Sequence, residues 1–196
     1  LLDIDETAET ASKALSHSIL VYEAYQSLLD KSAYNAYAKK IVESWALAEW
    51  FTSKEPLPES INAVVFRVDG ETNTDDLSPA TEAWSRPDIP LHAQAMLVKK
   101  MDKPLETIEK LKKKGLPLAY VGDVVGTGSS RKSAINSVLW HMGEPIDYIP
   151  NKNTGGIVLG GKIAPIFFNT AEDSGALPIE CDVSKLKMGD EITIYP

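Results

Sequence analysis

Gly126-Thr-Gly-Ser-Ser-Arg-Lys-Ser133 stands between a strand-like run, Leu118-Ala-Tyr-Val121, and an apolar helical spacing at Ala134, Val138, Leu139 and Met142. A strand that turns through glycines into a helix is the building unit of an α/β fold. The glycines let the backbone come close to a ligand. Two hydroxyls, Ser129 and Ser130, and two cations, Arg131 and Lys132, follow at once. At such a junction free N–H groups and the helix dipole favour an anion. The stretch reads as a pocket for a carboxylate or phosphate with a serine close by. It reads equally as a Gly/Ser-rich turn with a helix N-cap, and local pattern does not separate the two.

Three familiar loops do not fit. A P-loop needs glycine directly before its lysine, and Arg131 precedes Lys132. The dinucleotide fingerprint needs a third glycine where Arg131 stands. A nucleophile elbow needs glycine two places after its serine, which neither Ser129 nor Ser130 has.

Outward from this loop, strands alternate with helices. Residues 61–68 are a mostly apolar strand that should be buried on both faces. The polar stretch 69–88 reads as a long loop, a length usually tied to function. Helices are expected over 91–99 and 104–114, the second ending in Lys112-Lys-Lys-Gly115. That lysine run reads as a helix end with its dipole and C-cap satisfied. Beyond the 131–142 helix, short strands are expected near 147–149 and 156–159. A helix over 165–172 and strands over 177–180 and 191–194 follow. The pattern is α/β with a mixed sheet. Ahead of it, apolar spacing predicts two helices over 6–30 and 33–52, an antiparallel hairpin. Three segments follow: a helical hairpin at 1–53, a linker at 54–60 containing Pro56 and Pro58, and an α/β domain at 61–196.

Composition narrows the function. The chain has 196 residues, 43% of them hydrophobic, and a net charge of −8. That charge disfavours a general nucleic-acid surface. The lone Cys181 cannot form an internal disulfide, which suits a reducing, cytoplasmic setting. No apolar run reaches membrane length and no signal peptide is evident. Both ends look cut, with Leu1 in place of methionine and a strand-like run just before Pro196.

The run Val121-Gly-Asp-Val-Val-Gly-Thr-Gly-Ser-Ser-Arg-Lys-Ser133 resembles the substrate loop in the swivelling domain of the aconitase superfamily. Two further stretches resemble the bacterial aconitase B family. They are Asp69-Gly-Glu-Thr-Asn-Thr-Asp-Asp-Leu-Ser-Pro79, followed by Ala83-Trp-Ser-Arg-Pro-Asp-Ile-Pro90, and residues 151–173. The resemblance covers about residues 14–196. It implies a swivelling β/β/α domain with a mixed sheet, preceded by the tail of a HEAT-like helical domain. It implies reversible conversion of citrate and isocitrate through cis-aconitate, with 2-methylisocitrate as a possible further substrate. It also implies a 4Fe–4S cluster in the longer parent, which supplies the Lewis acid for the departing hydroxyl. Carried over by motif, Ser129 is the catalytic base, and Ser130, Arg131 and Arg86 bind substrate. The same resemblance implies partners: the remaining domains of the parent and, in a cluster-free parent, messenger RNA.

Each assignment has a plainer counterpart. Arg86 also suits a surface pair with Asp88 or Glu82. Asp75 and Asp76 suit paired acid–base carboxylates or loop-shaping turns. His17, His92 and His141 lie outside the motifs and read as structural. Lys132 and Lys162 either add positive potential or are simply solvated. One cysteine cannot supply three cluster thiolates, so the segment alone is expected to be inactive. Two other readings stand beside the enzyme fragment. One is a small-subunit-like domain of an isopropylmalate isomerase. The other is an RNA- or protein-binding module. If the enzyme reading holds, the fold must bring the 69–88 and 126–131 loops to one edge of the sheet.

Overall fold

The apolar run at 61–68 becomes the axis of a sheet because its two faces are apolar for different partners. Val64, Phe66 and Val68 face a helical layer, while Ala63 and Val65 face the other way. This is a computed structural model, and it describes residues 1–18, 20–52, 56 and 58–196. It contains two compact units, Leu1–Leu57 and Pro58–Pro196.

The first unit is helical: α1 (Asp5–Ser16), α2 (Tyr22–Ser32), α3 (Ala36–Ala46) and the single turn α4 (Glu49–Thr52). The continuous helices expected over 6–30 and 33–52 are each broken. At the first break, side chains take the carbonyls that would continue the helix. Ser18 Oγ donates to Leu15 O at 3.0 Å. Trp45 Nε1 donates to Leu15 O at 3.0 Å and to Ser18 O at 3.2 Å. Satisfied end carbonyls let α1 stop there. In the second case Asn35 caps α3 by accepting from Ala38 N at 3.0 Å, so the helix starts late. Ala48, with φ of 51°, then separates α3 from α4. Leu28, Ala38, Ile41 and Trp45 form this unit's core. Of the linker expected at 54–60, residues 54, 55 and 57 lie outside the described residues.

The second unit runs β1 (Ile61–Asn73), α5 (Thr74–Leu77), a 3-10 turn (Ala80–Glu82), α6 (Ile89–Ala93), α7 (Pro104–Lys112), β2 (Leu118–Thr127) and α8 (Arg131–Met142). It continues through β3 (Glu144–Ile146), β4 (Ile149–Thr154), β5 (Ile157–Ile163), α9 (Pro165–Asp173), β6 (Leu177–Glu180) and β7 (Glu191–Ile194). The five-stranded sheet has the order β6-β5-β2-β1-β7. Its first four strands are parallel, and β7 is antiparallel to β1. The α/β class with a mixed sheet is therefore as expected. Instead of the strand expected at 147–149, β3 and β4 form a separate hairpin around that segment.

On the helical side the core contains Phe66, Tyr120, Ile135, Leu139, Val158 and Phe167. The aliphatic and phenylalanine side chains among these each contribute ~1.5–3 kcal/mol by leaving water. On the other side Ala63, Val65, Ala119, Val121, Ile157 and Leu159 are covered by Val183 and Leu186, in the connection from β6 to β7. With both faces covered, β1 and β2 read as unbroken apolar runs.

Two expected boundaries move. β1 does not end at 68. A register shift between Val68 and Glu71, with Gly70 at φ 73°, carries it on to Asn73. The helix expected over 91–99 shrinks to α6, because Leu97 turns to φ 62° and its N–H donates to Asp76 O at 2.8 Å.

Candidate active site

The carboxyl ends of β1, β2 and β5 meet at one edge of the sheet, the place where open parallel sheets gather ligands. Asn73, the last residue of β1, pairs with Thr127, the last of β2. The 69–88 segment and the 126–131 loop are therefore neighbours. Thr127 Oγ1 donates to Glu71 Oε1 at 2.6 Å, and Ser130 N donates to Thr74 Oγ1 at 3.2 Å.

The glycine turn is held by what surrounds it. Gly126 has φ 81°, and a Cβ there would overlap the Phe167 ring. Gly128 has φ 101°, and a Cβ there would lie 2.6 Å from Thr74 Oγ1. Both positions need glycine for conformation and for room. The turn leaves Ser129 exposed, with Ser130 and Arg131 half-buried. Ser130 sits at the N-cap of α8, but its side chain makes no capping bond. The Ser130 amide is engaged with Thr74, and the Arg131 amide donates to Ser129 O at 2.9 Å. Two of the N–H groups that the sequence offers to an anion are thus taken up inside the loop. The Ser129 and Ser130 hydroxyls and the Arg131 guanidinium remain to face a ligand. Arg131 Nη1 also donates to Gly128 O at 3.3 Å. Residues 129–133, with Ile166 and Thr170 of α9, line an open cleft of about 510 Å³.

Arg86 is placed differently. Its Nε donates to Glu82 Oε2 at 3.1 Å and its Nη1 to Leu91 O at 3.3 Å. Asp88, the other carboxylate near it in sequence, instead caps α6 by accepting from Leu91 N at 2.9 Å. Arg86 and Arg131 share no hydrogen-bond partner among the described residues. The segment after Arg86 does reach α8: Pro87, Asp88 and His92 face Ser133 and Ser137 across a cleft of about 170 Å³. Trp84, at the crest of this loop, is 96% exposed.

Asp75 and Asp76 shape the loop. Asp76 and Asn73 form a reciprocal capping box, and Asp75 accepts from Ala80 N at 2.8 Å. His92 Nε2 lies 3.2 Å from Ser78 Oγ and 3.1 Å from Pro79 O, which ties the loop down. His141 Nε2 bonds Ala93 O at 2.8 Å and joins α8 to α6. Burial holds its pKa below the ordinary histidine value. Below the site, Asp123 accepts from Gly70 N at 2.7 Å and pairs with Arg67. These two contacts hold its carboxyl below the usual range.

Thr74, Glu71 and Phe167 escaped the sequence reading. Each acts on the glycine turn from a distant position. The only local signal was the Asn73-Thr74 start of a capped turn. No group of three or more metal-ligating side chains occurs among the described residues. Cys181 is the only cysteine, and burial followed by the neighbouring Asp182 raises its thiol pKa. These residues do not fit an iron–sulfur cluster. No helix among the described residues is long and apolar enough to cross a membrane.

The family profile described as the aconitate hydratase 2 N-terminus matches residues 63–196, and that of the aconitate B N-terminal domain matches residues 1–51. Aconitate hydratase B of Synechocystis is 64% identical over 96% of this chain and 22% of that protein. The proteins of the same name from Salmonella typhimurium and Escherichia coli are 61% and 58% identical, over all of this chain and 24% of theirs. The chain thus spans about a quarter of the length of these relatives. A crystal structure of 3-isopropylmalate dehydratase from Methanocaldococcus jannaschii is similar at 23% identity and a TM-score of 0.49. The match covers 69% of this chain and 70% of that one. With matching profiles over both units and relatives this close, the chain belongs to the aconitate hydratase B family.

Proposed function

We propose that this chain provides the base and the substrate-binding arginines of an aconitate hydratase, a hydro-lyase that interconverts citrate and isocitrate through cis-aconitate. The observation that carries the reading is the exposed Ser129, beside Arg131, on a turn that only glycine can form and that opens on a cleft. Ser129 Oγ takes the proton from the carbon next to a carboxylate. A serine alkoxide is a poor species in water and needs stabilisation. The Arg131 guanidinium and the first turn of α8 supply positive potential. Ser130 and Arg131 hold substrate carboxylates, and the planar guanidinium suits a two-point grip. Arg86 joins them once it releases Glu82. In the family's chemistry a 4Fe–4S cluster would supply the Lewis acid for loss of the hydroxyl. The residues of this chain do not fit that cluster, so its ligands belong to other domains of the longer protein.

Ser129→Ala in the full-length enzyme tests the reading. Turnover should fall by ~100-fold or more while KM for isocitrate stays within a few-fold, because a lost base acts mainly in the transition state. Turnover within a few-fold of wild type would remove Ser129 from the role. The isolated chain should not hydrate cis-aconitate, even after iron–sulfur reconstitution.

A further inference from the structure

We infer that Thr74 is a positioning residue for the serine loop, an assignment that rests on reading Ser129 as the base. Thr74 opens α5 directly after β1 and is 2% exposed. Its hydroxyl oxygen accepts the Ser130 amide and occupies the space where a side chain on Gly128 would stand. One oxygen therefore fixes the residues on both sides of Ser129. Its own place is fixed in turn. The capping box between Asn73 and Asp76 holds α5, Leu77 is fully buried in the helical-side core, and Leu97 N donates to Asp76 O at 2.8 Å.

The rest of Ser130's backbone is engaged as well. Its carbonyl accepts from Ala134 N at 3.0 Å and from Ser133 Oγ at 3.0 Å. With the amide on Thr74 and the carbonyl on α8, Ser130 cannot rotate without breaking three hydrogen bonds. Ser129 stands between this fixed point and Gly128, so its backbone, and with it the base of its side chain, is held in place. Reacting groups gain rate from such placement even when no contact to substrate is made. A threonine hydroxyl performs this task where valine, of the same shape, would leave the Ser130 N–H without an acceptor.

The test uses the full-length enzyme and two readouts. Thr74→Val should lower kcat by at least ~10-fold while moving KM for isocitrate less than ~3-fold. Backbone amide exchange in peptides spanning residues 126–133 should rise by at least ~10-fold, with exchange elsewhere unchanged. Thr74→Ser keeps the oxygen and should recover most of both. If Thr74→Val does not fold, Thr74→Ser decides alone, since a 10-fold loss of kcat with the oxygen retained would overturn the assignment. Wild-type exchange and turnover in Thr74→Val would also overturn it. If Ser129→Ala is fully active while Thr74→Val still loosens the loop, the base reading fails and Thr74 remains the anchor of the turn.

Discussion

The turns that follow β1 and β2 end at the same edge of the sheet, yet they are held by different means. The turn after β2 depends on backbone geometry. Gly126 and Gly128 take positive φ against Phe167 and Thr74. The turn after β1 has no glycine between Glu71 and Asp102 and is held by side chains. Asn73 and Asp76 cap each other, Asp75 accepts from Ala80 N, and Asp88 caps α6. Packed glycines leave a turn little freedom. Carboxylate caps are individually weak and exchangeable, and Arg86 in the second turn is held by a surface pair of that kind. The difference suits the roles proposed for Ser129 and Arg86: a base that stands still and a substrate cation that changes partner.

The largest effect is expected at Gly126. Gly126→Ala adds a methyl where Phe167 already sits, in a backbone region closed to alanine. Overpacking and strain together should cost roughly 3–5 kcal/mol, enough to lower the denaturant midpoint severely. A midpoint within experimental error of wild type would mean that the turn relaxes freely.

A smaller effect is expected where the two regions are joined. His141 of α8 is buried and bonds Ala93 O at the end of α6. Its folded pKa lies below the ordinary value of 6.5. The neutral ring therefore stabilises the fold fully above about pH 6.5, where the unfolded chain also holds it neutral. As pH falls from there towards the folded pKa, the unfolded state takes up the proton first and stability declines. Urea midpoints measured from pH 8 to 5 should show this slope, and His141→Gln should flatten it. An equal slope in both proteins would place the proton uptake elsewhere.

The smallest effect on stability is expected at Glu82. Glu82→Gln removes a partly exposed pair to Arg86, so stability should change by less than ~0.5 kcal/mol. If Glu82 competes with substrate for Arg86, KM for isocitrate in the full-length enzyme should fall about 2-fold, because the arginine no longer has to leave a carboxylate. An unchanged or higher KM would separate Arg86 from substrate binding.

Much of the sheet was legible. β6, β7 and α8 run over the residues that periodicity and turn signals marked. So does α9, which has Pro165 in its first turn. These elements carry their signals locally. The break between α1 and α2 does not: two hydrogen bonds that mark it come from the Trp45 indole, 30 and 27 positions on. β1 was cut short for a similar reason. Gly70 and Asp69 look like loop residues until Asp123, on the neighbouring strand, accepts the Gly70 amide. At the candidate site the glycines, serines and arginines stood out by type and spacing. Thr74 did not, because it meets Ser130 across 56 positions of sequence. For Arg86 the sequence offered both Glu82 and Asp88, and the structure takes Glu82 because Asp88 is drawn away by the start of α6.

Trp84 gives this edge of the sheet a built-in optical probe. The chain has four tryptophans, and Trp84 is 96% exposed while Trp45 is buried. An indole in water emits at long wavelength and is open to quenching by iodide, whereas a covered one is neither. A red-edge, iodide-sensitive component of the fluorescence therefore comes from Trp84 and, to a lesser degree, from Trp50, which is 37% exposed. Anything that settles over the turn after β1, whether substrate or protein, shifts that component to the blue and shields it, with no label attached.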